Sequence, residues 1–348
     1  MTLFLPIIVA AALLIPHQGA PSPGNNPAVN PAVNPAVNPG PTQVGGGLDA
    51  GAQASATQEV VFVAPAERAS AIEEGIYTRF YHADGTTARE GYLKDGARVG
   101  LWKSWYENGQ QALRGEYKDY SRVGSWVLNA EDGKTFTHAI YDDEGRRDGV
   151  WRTYFRGAKA DGELRSIASW KHGRKHGSQE RYARNGKLIA LSEYKNGRKD
   201  GRNVKFSRGG KDKTEEGAYA DGLQVGPWKI YQAGGVVQSE GSFVEGLREG
   251  EWIEYYANAR RKSVGPFENG LPNGAWQGFY KQGERRYLGT FETGALVGDY
   301  VEWWPSGDKK GEGKFLAGKY DGPWTFWDRE GREDSSKTGV YRDGDLVR

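Results

Sequence analysis

From Gly75 onward apolar and polar positions recur with two superposed periods. The short period is two: aromatic or branched residues alternate with charged or small ones over six to nine positions, as in "GEWIEYYANARRKSVGPFENG". That alternation predicts strands, and no stretch carries a 3.6-residue pattern long enough for a helix. The long period is 24 or 25 residues. It is marked by Gly75, Gly100, Gly124, Gly149, Gly177, Gly201, Gly226, Gly250, Gly274, Gly298 and Gly322, with one longer interval of 28 after Gly149, assigned to the turn "RGAKADG". Each unit reads as two strands. The third residue from the leading glycine is aromatic except at Gln179 and Asn203, and the sixth is aromatic except at Asn129. The second strand of each unit carries one further ring, from Tyr92, Tyr117 and Tyr141 to Phe315 and Tyr341. Asp84-Gly85, Asn108-Gly109, Asp132-Gly133 and Asn185-Gly186 fall between the strands, where such pairs favour two-residue hairpin turns.

One hairpin cannot bury its rings and is unstable alone. A chain that repeats it must bury each aromatic row against the next copy. The expected fold is therefore all-β: an elongated single-sheet array of about eleven β-hairpin repeats over residues 75–348, with the rings serving chiefly as structure.

Units such as "GLWKSWYENGQQALRGEYKDYSRVG" and "GSQERYARNGKLIALSEYKNGRKDG" resemble the bacterial MORN-repeat variant family, whose members are often labelled antitoxin-like. The resemblance implies the same hairpin solenoid. It implies interaction or scaffold work, in some members linked to membrane lipids, and it carries over no catalytic residue.

The N-terminal residues read differently. Leu3 to Ile15 is an apolar run of thirteen residues. That suits a signal peptide over 1–20 and is short for an ordinary membrane span. The n-region lacks Lys and Arg, and Pro21 follows Ala20, so an uncleaved N-terminal anchor is the alternative. Residues 21–58 hold a single charge, Asp49, and the tract "NPAVNPAVNPAVNPG". Proline at that density opposes helix and sheet and predicts a disordered linker. Residues 59–74 form a lead-in, with a short helix allowed at Pro65–Glu74. Export to the periplasm, outer envelope or exterior is expected.

Composition narrows the chemistry. The chain has no cysteine, so disulfides, Cys-based zinc and thiol nucleophiles are excluded within it. His172 and His176 stand four apart in "KHGRKHG", a glycine-containing turn flanked by cations that repel a metal. No nucleophile elbow or phosphate loop is present. No catalytic residue, cofactor or metal is expected.

The charge map is uneven. Residues 171–213 hold fourteen Lys and Arg against four Asp and Glu, whereas the rest of 59–348 holds 33 against 40. The basic units are also the two that lose the third-position aromatic. Arg98, Arg122, Arg147, Lys175 and Lys199 recur two residues before a leading glycine. As turn residues they would share one edge about 10 Å apart, thickened by Arg174, Arg198, Arg202, Lys205 and Arg208. Such a strip is either a solvated edge that blocks strand aggregation or a docking strip. A protein partner is the first expectation, an anionic membrane surface or acidic polymer the second. Nucleic acid fits an exported protein poorly. The less regular seventh-position aromatics, Tyr106, Phe155, Tyr256, Tyr280 and Trp304, are the ring candidates for contact with a ligand.

Overall fold

A computed structural model describes residues 58–61, 75–157 and 163–347. The signal-peptide, linker and lead-in-helix expectations lie outside the described residues, apart from Gln58–Val61, and so does most of the "RGAKADG" turn.

Among the described residues there is no helix, and 25 strands form one sheet. Each strand pairs antiparallel with the next along the chain, except that Leu271–Pro272 and Gly274–Phe279 both pair with Arg261–Glu268. Leu247–Tyr255 and Arg261–Glu268 show the unit. Gly250 faces Phe267, Trp252 faces Gly265 and Tyr255 faces Arg261. Phe267 and Glu268 then pair forward with Pro272 and Leu271. Gln58–Val61 adds a strand to the first hairpin, with Gln58 opposite Tyr81 and Val61 opposite Thr78. The sequence pattern had not foreseen this strand.

The two kinds of turn are distributed otherwise than expected. Two-residue turns with both residues at positive φ, such as Asn196-Gly197 and Asn269-Gly270, join one hairpin to the next. Their twist matches that of the flanking strands. Asn108-Gly109 and Asn185-Gly186 sit in longer loops within a hairpin, where only the glycine has positive φ. There the Asn108 carboxamide oxygen accepts the Gln110 N–H at 3.0 Å, which closes the loop locally.

The third-position and sixth-position rows lie three residues apart, so they face opposite sides of the sheet. The third-position row is the core. Trp102, Trp126, Trp151, Trp228, Trp252, Trp276 and Trp324 are all buried. They alternate edge-to-face with the second-strand rings, as in Trp228–Phe243 at 5.7 Å and Phe243–Trp252 at 5.1 Å between centroids. Each such contact adds to the plain burial of the ring. On the other face two sixth-position tyrosines reach back to the preceding hairpin. Tyr255 donates to Glu240 at 2.6 Å, and Tyr231 donates to Glu216.

The first unit departs from the repeat by one residue. Thr78, not Tyr77, stands opposite Gly91, as Trp102 stands opposite Gly115. Leu93, not Tyr92, stands opposite Arg98, as Tyr117 stands opposite Arg122. Tyr77 and Tyr92 pair with each other at 5.5 Å.

Candidate functional site

The five cations expected along a turn edge lie instead within or beside the strands, on the aromatic face. Arg122 stands across from Tyr117, and its guanidinium carbon sits 4.6 Å from the Trp126 ring centroid. Arg98 rests over Trp102 and Tyr117, at 5.0 and 5.5 Å. Arg147 rests over Trp151 and Trp170, at 4.7 and 4.8 Å. Lys175 lies 4.8 Å from the Tyr194 ring and Lys199 lies 4.4 Å from the Tyr219 ring. Arg248 repeats the arrangement over Trp252 at 4.3 Å. The physical reason is that this position pairs directly with a second-strand aromatic, except at Arg98, which faces Leu93, and that a cation over a ring face is attracted by the ring quadrupole.

The remaining basic residues scatter. Lys205 shares the aromatic face and pairs with Glu215 at 2.9 Å. Arg174 and Arg198 stand at the tight turns, where Arg198 lies 3.6 Å from Asp221. Arg202 follows a leading glycine and, next to Asn203 in its strand, faces the other side. Arg208 is exposed in the loop at the far end of its hairpin. One edge therefore does not collect all ten.

The seventh-position rings are half-buried, and their polar atoms are engaged. Tyr106, Tyr256 and Tyr280 donate to the Asn129, Phe279 and Trp303 carbonyls at 2.9, 2.8 and 2.7 Å, and Trp304 Nε1 donates to the Trp327 carbonyl at 3.2 Å. Each bond crosses to the next hairpin, so these side chains act as latches between units. His82 Nε2, buried, holds the same relation to the Trp105 carbonyl at 3.1 Å. Phe155 has no polar atom and lies under Arg184, at 4.8 Å.

The aromatic ladder breaks where Gln179 and Asn203 replace its third-position rings. Asn203 is fully buried. Its carboxamide oxygen accepts from Ser192 at 2.9 Å and from Lys199 at 3.1 Å, and its nitrogen donates to Glu215 at 3.0 Å. Burial, followed by repulsion from Lys205, holds the Lys199 ammonium below its ordinary pKa. Around Gln179 the pairing is incomplete. Trp170 Nε1, His176 Nδ1 and Gln179 Nε2 are buried atoms without a hydrogen-bond partner. In the intact ladder the indole donates to a backbone carbonyl, most often one ten residues earlier, as Trp252 does to Ser242 at 3.0 Å. Gln179 makes no such bond. The sequence did signal the break, through the missing rings. The orphaned atoms depend on strand register and were not legible in it.

One group of potential metal ligands is present among the described residues. The ligand atoms of Asp142, Asp148 and His172 lie within 4.8 Å of one another. Arg146 stands in the same place, with Nε 2.8 Å from Asp142 and a terminal nitrogen 3.2 Å from His172 Nδ1. Desolvation raises the Asp142 pKa, but hydrogen bonds from Arg146 and His172 outweigh it and bring it to about 2. An internal cation thus already pairs with the group.

Residues 98–119 and 175–196 each match the family described as MORN repeat variant. The chain carries MORN-type repeats at these two places, and the second lies within the broken part of the ladder. No curated protein matches the chain in sequence. Among solved structures, the one titled "Crystal Structure of TcdB2-TccC3-Cdc42" is similar over 74% of this chain and 16% of that chain. The identity is 10% and the TM-score 0.17.

Proposed function

We propose that the protein is a non-catalytic binding scaffold that holds a protein partner on its repeat array, and that it works outside the cytoplasm. The observation that supports this most is the use made of the side chains. Rings, latching hydroxyls and strand backbone are spent on joining each hairpin to the next, as repeat proteins require. What departs from the repeat, over 171–213, is an excess of cations and the replacement of two ladder rings by Gln179 and Asn203. The apolar run Leu3–Ile15 supports export. An antitoxin-like role would need a cytoplasmic partner, which fits export poorly.

The test is affinity capture with the intact protein after mild cross-linking in its native host, together with fractionation. Recovery of one protein in stoichiometric amount, from the envelope or the medium, is the expected result. Recovery of lipid or glycan alone, or a cytoplasmic location, would overturn the reading.

A further inference from the structure

We infer that the break in the aromatic ladder is a receptor for an extended acidic peptide segment whose carboxylates recur every third residue. The inference rests on the scaffold reading and names the chemistry of its partner. Three observations converge on one face.

The first is a row of cations at fixed pitch. Arg147, Lys175 and Lys199 each rest on a ring, and successive members are separated by two strands. Two strand spacings are about 10 Å. The second is hydrogen-bonding capacity without a partner. Trp170 Nε1 and Gln179 Nε2 can only donate, and both are buried without an acceptor. Trp170 stands directly across from Lys175, and Gln179 across from Ala168, two residues before Trp170 on the same strand. An unfilled buried donor is costly, and a carboxylate or carbonyl oxygen that reached it as the covering side chains shifted would satisfy it. The third is lost bulk. Where the intact ladder places indoles, this stretch has Gln179 and Asn203, bounded by Trp151 and Trp170 before and Trp228 after.

These features select a ligand. An extended polyproline-type segment advances about 3.1 Å per residue and returns to the same face every third residue, about 9 Å on. That step matches the cation pitch closely, and segments of this kind dock against aromatic-lined grooves. A flat anionic membrane would meet the protruding cations first. Arg202 and Arg208, though, are exposed on the opposite face and in a loop at one end, away from the row. Lys175 and Lys199 are half-buried against rings, which suits a narrow chain better than a plane. Of the network around Asn203, only Glu215 is acidic, and Lys205 already pairs with it. A carboxylate brought to Lys199 would offset the desolvation of its ammonium.

The experiment uses the intact protein and two fluorescent peptides of equal composition. One has three glutamates each followed by two prolines. The other has its three glutamates in one block followed by six prolines. The spaced peptide is expected to bind at least ~10-fold more tightly. The double change Lys175→Gln and Lys199→Gln should remove that preference while the far-ultraviolet circular dichroism stays unchanged. Gln179→Leu, which deletes the orphaned donor without touching charge, should weaken the spaced peptide alone. Arg248→Gln, in the unbroken ladder, should leave it unaffected. Equal binding of both peptides, no binding of either, or binding to phosphatidylglycerol vesicles that the spaced peptide does not displace, would overturn the inference. If a protein partner is captured but neither peptide binds, the scaffold reading stands and this site falls. If the spaced peptide binds but no protein is captured, the reverse holds.

Discussion

The indole of Trp252 lies over Gly241 of the preceding hairpin so closely that a Cβ built on Gly241 would fall 2.3 Å from its Cδ2. Its Nε1 donates to the Ser242 carbonyl beside that glycine. The same contact joins Trp228 to Gly217, Trp276 to Gly265 and Trp324 to Gly313. Each hairpin therefore supplies a smooth floor for the ring of the next. Gly241→Ala should destabilise the array by about 1–3 kcal/mol through overpacking. Gly209→Ala is the control, because Gly209 has ordinary φ and no atom near its missing Cβ. Chemical denaturation of both variants checks this, and equal midpoints would refute the floor.

Asn203 stands eleven residues after Ser192, the interval that separates Trp228, Trp252, Trp276 and Trp324 from their glycines, and the two are paired across the strands. Asn203→Trp alone should be destabilising, since the indole would meet the Ser192 side chain. Combined with Ser192→Gly it should recover, with a favourable coupling above ~1 kcal/mol in a double-mutant cycle. The double variant should also lose preference for the spaced peptide. Additive effects would mean that ring and floor are not linked.

The hairpin unit, its period and the rings that carry it were legible because the repeat writes each of them many times. Glycine-to-glycine spacing located ten units correctly but misplaced the first, where an extra residue puts Thr78 and not Tyr77 in the buried row. The floor glycines were in plain view, yet they could not be told from turn glycines without the register. Register also misled the reading of the cations. A residue two before the leading glycine looks like a turn residue, but it pairs with a ring across the strand, as Arg122 does with Tyr117. Charge reversal at Lys175 or Lys199 would consequently disturb packing as well as charge, which is why glutamine is the better probe.

Tyr120 occupies the second position of a two-residue turn between paired Lys118 and Ser121. Its φ is 66°, and it is 75% exposed. Equivalent turns place glycine there, as at Gly197 and Gly270. A tyrosine held in the left-handed region costs energy that its exposed ring does not return. Tyr120→Gly should therefore raise stability by about 1 kcal/mol, seen as a higher melting temperature. A fall would show that the ring makes a contact that outweighs the strain.

The face opposite the ladder carries a linked tyrosine–carboxylate–lysine group. Tyr255 donates to Glu240, and Lys229 pairs with the same carboxylate at 2.9 Å. The bond from Tyr255, then that from Lys229, lowers the Glu240 pKa. Burial, then the bond to Glu240, pushes the Tyr255 hydroxyl up to about 12. A carboxylate with a depressed folded pKa contributes stability above its unfolded value near 4.5, and that contribution is lost as pH falls through the folded value. A hydroxyl with a raised folded pKa contributes stability fully below its unfolded value near 10, and this is lost as pH rises through about 12. Wild type should thus melt above Tyr255→Phe across neutral pH, and the gap should close at both ends. It should narrow below about pH 4 as Glu240 gains a proton, and between about pH 10 and 12 as Tyr255 loses one. Melting curves of the two proteins from pH 3 to 12 measure this. A gap that stays constant over that range would show that the hydroxyl serves only to fill space.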